Sequence, residues 1–151
     1  MQYFTLHELT SSTTAARLGI KNQPSAEEIV ALCDLVDNVL DPARRKYGHP
    51  ITVSSGYRCK ALNDALKKAS KTSQHMHGEA ADLITGDPRV NARLARIIYD
   101  LGVFDQLILE EANADGTMCD WVHVSYSRSG NRKEVRIKVK GEIHSKPYQF
   151  K

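Results

Sequence analysis

Apolar residues recur at helical spacing between residues 25 and 47, and this stretch predicts a long helix. Ser25, followed three residues later by Glu28, has the pattern of a capping box at the start of the helix. Pro42 lies inside the pattern, so either the helix kinks there or Asp41 caps a second segment that stops at Gly48. The apolar positions that share one face are Ile29, Leu32, Cys33, Val36, Leu40 and Ala43.

Two further helices have both a start signal and a stop signal. Asp87 followed by Pro88 is a cap with proline at the first helical position, and Gly102 ends the apolar pattern that follows. Near the N-terminus, the hydroxyl-rich residues 10–13 cap a short helix that Gly19 ends. We interpret residues 1–24 as an arm that packs over the core.

Alternating apolar and polar residues predict short strands separated by helices and turns. Gly56 follows the first strand and predicts a turn that brings Arg58 out beside the strand end. Because helices and strands do not follow a strict βαβ order, we predict an α+β fold, a small antiparallel sheet with helices packed on one side. The predicted strands cover residues 51–53, 80–84, 106–109, 121–125 and 135–139.

The 151 residues are the length of one ordinary domain, and 41% of them are hydrophobic, so we predict a single domain over residues 1–151. Three cysteines without C-x-x-C spacing argue against both a disulfide framework and a thiolate metal site. No leader pattern and no apolar run long enough to span a membrane is present. We therefore expect a monomer made in the cytoplasm, and we expect nucleic acid not to be a partner.

Residues 132–151 hold seven Lys and Arg against two Glu in a chain whose net charge is +3, so the net positive charge belongs to this end of the chain. Lys and Arg alternate there with Val and Ile, which is typical of a protected edge strand. The same charge could instead hold the protein near anionic cell-wall polymers.

The stretch from Ser73 to Asp82 places two histidines and two carboxylates around a glycine. His75 and Asp82 are too far apart for a helical metal motif, but Gly78 between them lets a loop fold back so that both face one ion. Asp82 would be rigid on its strand and His75 adjustable on the loop. His123, inside an apolar strand, is a candidate third ligand, and two histidines with one carboxylate suit a zinc ion that keeps one open position.

The ordered set of motifs resembles the M15 family of zinc D-Ala-D-Ala carboxypeptidases and related phage endolysins that cut peptidoglycan stem peptides. The resemblance implies a fold of the hedgehog/DD-peptidase type, with zinc held by His75, Asp82 and His123. It also implies that Arg58 contacts a substrate carboxylate and that Ser73 faces the substrate. The motifs that carry it are Ser54-x-Gly56-Tyr57-Arg58, Asn63, Ser73-x-His75-x-x-Gly78-x-Ala80-x-Asp82, Gln106 and Trp121-x-His123.

The resemblance assigns the general base to Asp120, three residues before the last ligand, where many members carry an acid. Residues three apart on a regular strand face opposite sides, so this role requires a bend or bulge between Asp120 and His123. Glu110 and Glu111 lie one strand earlier and are the alternatives. Gln106 is expected to contact substrate, and His77 to be exposed rather than to support the metal ligands.

We therefore predict a zinc metallopeptidase that hydrolyses a bond in peptidoglycan stem peptides, as a D-Ala-D-Ala carboxypeptidase does. An L-alanyl-D-glutamate endopeptidase is the first alternative. A zinc-binding module of the same fold without peptidase action, as in hedgehog signalling domains, is the second. A phage structural protein that keeps the fold is a third possibility.

Overall fold

A computed structural model describes residues 1–151, and it contains six α-helices. The predicted capping box at Ser25 and the predicted cap at Asp87 are both present, and Gly19, Gly48 and Gly102 end their helices in the left-handed conformation. None of the helices is long and apolar enough to cross a membrane. The helices are α1 (Leu6–Thr10), α2 (Thr13–Leu18), α3 (Ala26–Leu35), α4 (Asp41–Tyr47), α5 (Lys60–Ala65) and α6 (Pro88–Leu101).

Six strands form one sheet in the order β1-β2-β4-β3-β5-β6. The α+β class is confirmed, but the prediction of an antiparallel sheet is wrong at one place, because β5 runs parallel to β3. All other neighbouring pairs are antiparallel. The strands are β1 (Thr52–Ser55), β2 (Ala80–Ile84), β3 (Gln106–Ala112), β4 (Trp121–Ser125), β5 (Glu134–Val139) and β6 (Lys146–Pro147).

The chain stays helical through Pro42, and Leu40 rather than Asp41 is the N-cap of α4, so the predicted cap at Asp41 does not occur. A π-helical turn, Val36–Leu40, joins α3 to α4 just before the proline, and the backbone amide of Asp41 donates to the carbonyl oxygen of Val36. The buried Asp41 carboxylate instead accepts hydrogen bonds from the backbone amides of Gln2 and Tyr3, at 2.6 and 3.1 Å. This contact fastens the start of the arm to the helices.

Alternation along the strands gives the sheet two different faces. One face is apolar and belongs to the same buried cluster as the inward sides of α3, α4 and α6. The other face carries Asp82 and His123, which are direct partners across β2 and β4. The buried strand residues on the apolar face are Ala81, Leu83, Leu107, Leu109, Val122, Val124 and Ile137.

The C-terminal strand β5 is not an edge strand, because the two-residue strand β6 pairs with it at Arg136 and Ile137. Most of the basic side chains of this segment are neutralised within the fold. They therefore present little unpaired positive charge to an anionic polymer. The ion-paired residues are Arg132, Arg136, Lys138, Lys140 and Lys146.

Candidate metal centre

The structure brings His75, Asp82 and His123 together on the polar face of the sheet. One ligand atom from each lies within 4.8 Å of the others. Oδ1 of Asp82 is 3.3 Å from Nε2 of His75 and 3.1 Å from Nδ1 of His123. Two imidazole nitrogens and a carboxylate oxygen that converge in this way could hold one divalent ion.

His75 lies on a 3₁₀ turn, Gln74–His77, hereafter the histidine turn. Its side chain is 3% exposed, and its Nδ1 lies 2.7 Å from the carbonyl oxygen of Gly56. Nδ1–H donates a hydrogen bond to this carbonyl, which leaves the lone pair of Nε2 directed at the site. The expectation that His75 is adjustable is therefore wrong, because the ring is buried and its tautomer is set.

Two glycines allow the close approaches that form this pocket. A Cβ atom at Gly56 would lie 2.8 Å from the carbonyl carbon of Leu9, so no side chain fits between β1 and the arm. Gly78 ends the histidine turn with a φ of +71°, and a Cβ there would lie 2.5 Å from the Glu28 carbonyl oxygen. Gly78 is therefore required both for the reversal of the chain and for the packing of the histidine turn against α3.

Arg58 adjoins the three candidate ligands. Its Nη2 donates to Oδ2 of Asp82 at 3.2 Å and its Nε to Oγ of Ser55 at 3.0 Å. These are the hydrogen bonds of the guanidinium within the protein, and Nη1 has no protein partner. The arginine therefore orients the candidate ligand Asp82 and keeps one donor edge free.

Asn22 holds the segment that carries Arg58, a role that no sequence pattern signals because single asparagines are common in loops. Its Nδ2 donates to the carbonyl oxygens of Thr10 and Tyr57 at 2.9 and 2.8 Å. Its Oδ1 accepts the amide proton of Cys59 at 2.8 Å. The arm is thus a support for the arginine as well as a cover for the core.

A cavity of about 380 Å³ lies between the arm and β1, with Arg58 in its wall. Its lining is rich in hydroxyl groups, and it includes the side chains of Thr13 and Thr14 as well as apolar residues. The cavity gives a polar molecule room beside the guanidinium. The hydroxyl-bearing residues that line it are Ser11, Ser12, Thr13, Thr14, Ser54, Ser55 and Tyr57.

Glu110 lies on the same face of the sheet as the candidate ligands, since it pairs with Trp121, two residues before His123. The register between β3 and β5 shifts next to it, and Glu111 has a φ of +48°. This bulge lets Glu111 form an ion pair with Lys138. Glu110 forms no ion pair and is the free acid of the two.

Asp120 does not join the site. No bulge interrupts β4 between Trp121 and His123, so Asp120, one residue before the strand, lies on the side opposite His123. Its carboxylate is 44% exposed and pairs with Lys140 at 3.4 Å. The position of Asp120 therefore does not support its prediction as the base, whereas Glu110, left open as an alternative, lies on the same face as the candidate ligands.

Burial and charge set the protonation of this centre. Burial lowers the pKa of His75, so the ring is neutral. Burial alone would raise the pKa of Asp82, but the hydrogen bond from Nδ1 of His123 outweighs it and helps to hold that pKa well below its usual range. Burial raises the pKa of Glu110, and His123 only partly offsets this. A neutral histidine and an ionised aspartate are the forms that bind metal.

The other residues considered in the sequence analysis are Ser73, Gln106 and His77, and each has different surroundings. Oγ of Ser73 accepts the amide proton of His75 at 3.3 Å and so caps the histidine turn. Gln106 donates to Oε2 of Glu134 at 3.2 Å on the polar face. His77 is exposed, as expected.

The family model for peptidase M15 matches residues 2–125. The chain belongs to the peptidase M15 family. Membership supports a hydrolase of the metallopeptidase class and agrees with the resemblance seen in the motifs. All three candidate ligands of this M15 chain, and Arg58, fall inside the matched residues. Among curated proteins, none matches the chain.

Proposed function

We propose that this protein is a zinc-dependent peptidase that hydrolyses a bond in the stem peptides of peptidoglycan. The observation that carries the proposal is the convergence of His75, Asp82 and His123 beside Arg58 and Glu110. A metal, a substrate anchor and a base are the three parts that hydrolysis of a peptide bond requires. Peptidoglycan as the substrate is drawn from the resemblance of the motifs to wall-cleaving members of the family.

The donor set fits zinc. Nε2 of His75, a carboxylate oxygen of Asp82 and a ring nitrogen of His123 would hold the ion and leave one position open. The hydrogen bond from His75 to the Gly56 carbonyl is the outer support that zinc-binding histidines usually have. When bound, zinc supplies Lewis acidity toward a carbonyl oxygen and toward water.

Glu110 acts as the general base in this proposal. Because its pKa is raised by burial, the carboxylate is a better proton acceptor at neutral pH than an exposed glutamate. It takes a proton from the attacking water and then delivers that proton to the nitrogen of the leaving amine. Glu111 is less suited to this, since Lys138 already neutralises it.

Arg58 anchors the substrate through a carboxylate. The free edge at Nη1 and the adjoining hydroxyl-lined cavity support this role, since a guanidinium binds a carboxylate through two parallel hydrogen bonds. We propose the terminal D-Ala-D-Ala bond as the bond that is cleaved. The L-alanyl-D-glutamate bond is the alternative, because the D-glutamate of that substrate also carries a free carboxylate next to the scissile bond.

Digestion of purified muropeptides by the zinc-loaded protein, followed by mass spectrometry, tests the proposal. Loss of a terminal alanine indicates a carboxypeptidase, and separation of the peptide after its first alanine indicates the endopeptidase. A chelator should stop either reaction, and added zinc should restore it.

The His123→Ala variant is the matched control, since it removes one proposed ligand. It should neither retain zinc nor cleave. Full cleavage by this variant would refute the ligand assignment. If the wild-type protein binds zinc but cleaves no muropeptide, a non-catalytic module is the better description.

A further inference from the structure

Asp105, in the connection from α6 to β3, joins three separate parts of the chain. It is 3% exposed, and its carboxylate accepts three hydrogen bonds from Arg132, from the backbone amide, Nε and Nη2, at 2.8, 3.0 and 2.8 Å. Hydrogen bonds from Arg132 lower the pKa of Asp105 to about 2, so the carboxylate is ionised. A buried carboxylate held by the fork of an arginine is a rigid anchor point.

Gln74 connects this anchor to the histidine turn. Its Nε2 donates to Oδ2 of Asp105 at 3.0 Å, and Gln74 is the first residue of the turn and the neighbour of His75. On the other side, the carbonyl oxygen of His75 accepts the amide proton of Arg58 at 3.0 Å. The turn is therefore fastened at both sides.

We propose that Arg132, Asp105 and Gln74 form a clamp that positions His75 for metal binding. The proposal rests on the zinc site proposed above and gives a role to the segment that follows β4. Arg132 lies outside residues 2–125, so the clamp joins the matched part of the M15 chain to the part beyond it. At this point the charge of Arg132 is paired with the buried carboxylate of Asp105.

The physical reason is the precision that a metal ligand requires. The bond from Nδ1 to the Gly56 carbonyl sets the rotation of the imidazole, but it does not fix the backbone that carries the ring. Gln74 fixes that backbone. Groups hydrogen-bonded directly to a metal ligand typically change metal affinity by about 10- to 100-fold when they are removed, and Gln74, which acts through the backbone, should lie at the lower end of this range.

The Gln74→Met variant is the most direct test, because it removes the amide donor, keeps the side-chain length and leaves the pair of Arg132 and Asp105 intact. The affinity for zinc is measured by competition with a chromophoric chelator. The visible spectrum of the cobalt-substituted protein reports the geometry of the ligands. We expect binding weaker by roughly 10-fold and an altered cobalt spectrum, with denaturant unfolding of the metal-free protein unchanged.

Arg132 is tested in a second series. Arg132→Ala should weaken zinc binding more than Gln74→Met, and Arg132→Lys should restore part of the affinity because it keeps the charge but loses the fork. Arg128→Ala is the matched control, since Arg128 precedes β5 in the same connection and pairs with Asp34 at 2.7 Å, with its side chain 71% exposed. It should bind zinc like the wild-type protein.

Wild-type affinity and a wild-type cobalt spectrum in Gln74→Met would overturn the clamp, whether or not Arg132→Ala folds. Equal losses in Arg128→Ala and Arg132→Ala would also overturn it, because the effect would then belong to the whole connection. A wild-type protein that does not bind zinc would instead overturn the proposed function, so the two failures are distinguishable.

Discussion

Asp82 and His123 are direct partners across β2 and β4, with Oδ1 of the carboxylate 3.1 Å from Nδ1 of the imidazole. Two neighbouring strands of one sheet therefore supply two of the three candidate ligands. Strand pairing sets their separation without help from a loop. The third candidate, His75, is added from the histidine turn, and the predictions below test what each part contributes.

Replacing Glu110 should separate catalysis from metal binding. We expect Glu110→Gln to lower kcat by about 10²- to 10⁴-fold, the usual contribution of a general base, with zinc content unchanged. Turnover of muropeptides and bound zinc are measured on the same preparation. Asp120→Asn is the matched control and should stay close to the wild-type rate, because Asp120 lies at the opposite side of the strand. If Asp120→Asn lost turnover and Glu110→Gln did not, the general base would be Asp120 and not Glu110.

Arg58→Lys keeps the charge but removes the planar fork of donors. We expect kcat/KM to fall by about 10-fold or more, since lysine cannot bind a carboxylate bidentately or hold Asp82 and Ser55 together. Steady-state kinetics on a stem peptide measures this. An amidated peptide, which lacks the carboxylate, should show a much smaller difference between variant and wild type. Equal losses on both peptides would assign Arg58 to the support of Asp82 alone.

Gly56→Ala should destabilise the protein more than substitution at a glycine in open space. A Cβ at Gly56 meets the backbone of Leu9, so β1 and the arm must separate, and overpacking of this kind costs about 3 kcal/mol. Denaturant unfolding of the metal-free protein measures the change. Gly48→Ala is the control, since its φ of +84° is unfavourable for alanine but nothing lies within 4 Å. If Gly56→Ala and Gly48→Ala lost the same unfolding free energy, the arm would be shown to move away from β1 at little cost.

Removal of the metal should lower the stability of the folded protein. A ligand present at about 1,000 times its Kd stabilises the state that binds it by about 4 kcal/mol, so the zinc-loaded protein should melt well above the chelated one. Differential scanning calorimetry with and without chelator measures the shift. In His123→Ala the shift should disappear, and its persistence would show that zinc binds elsewhere.

Acid should weaken the fold through Asp105. Its pKa of about 2 lies below the ordinary value of 3.8, so the folded state holds the ionised form more strongly than the unfolded state does. The resulting stability is present above about pH 4 and is lost as the pH falls toward 2. As the pH falls from 5 to 2, the free energy of unfolding of the metal-free protein should decrease less steeply in Asp105→Asn than in the wild type. Parallel curves would contradict this.

Local signals in the sequence predicted most of the helices and strands. The capping box at Ser25, the cap at Asp87 and the glycine stops act within a few residues, and for this reason a single sequence reveals them. The parallel pairing of β5 with β3 depends on contacts between distant segments, which no local pattern encodes.

The candidate site likewise contains residues that the sequence predicts and residues whose place depends on strand pairing. His75, Asp82, His123 and Arg58 were predicted because their residue types and order are distinctive. The resemblance assigns the base to Asp120, but strand alternation places that residue on the side opposite His123. Glu110 was named only as an alternative, since the bulge that separates its role from that of Glu111 depends on pairing with β5.

Strand β5 covers the outer side of β3 along residues 106–112, a consequence of their parallel pairing. A chain cut after residue 125 would leave the backbone amides and carbonyls of β3 open to strands of other molecules. We expect such a fragment to self-associate in sedimentation experiments even though it retains every candidate ligand. The last residues of the chain would then act as a shield against aggregation.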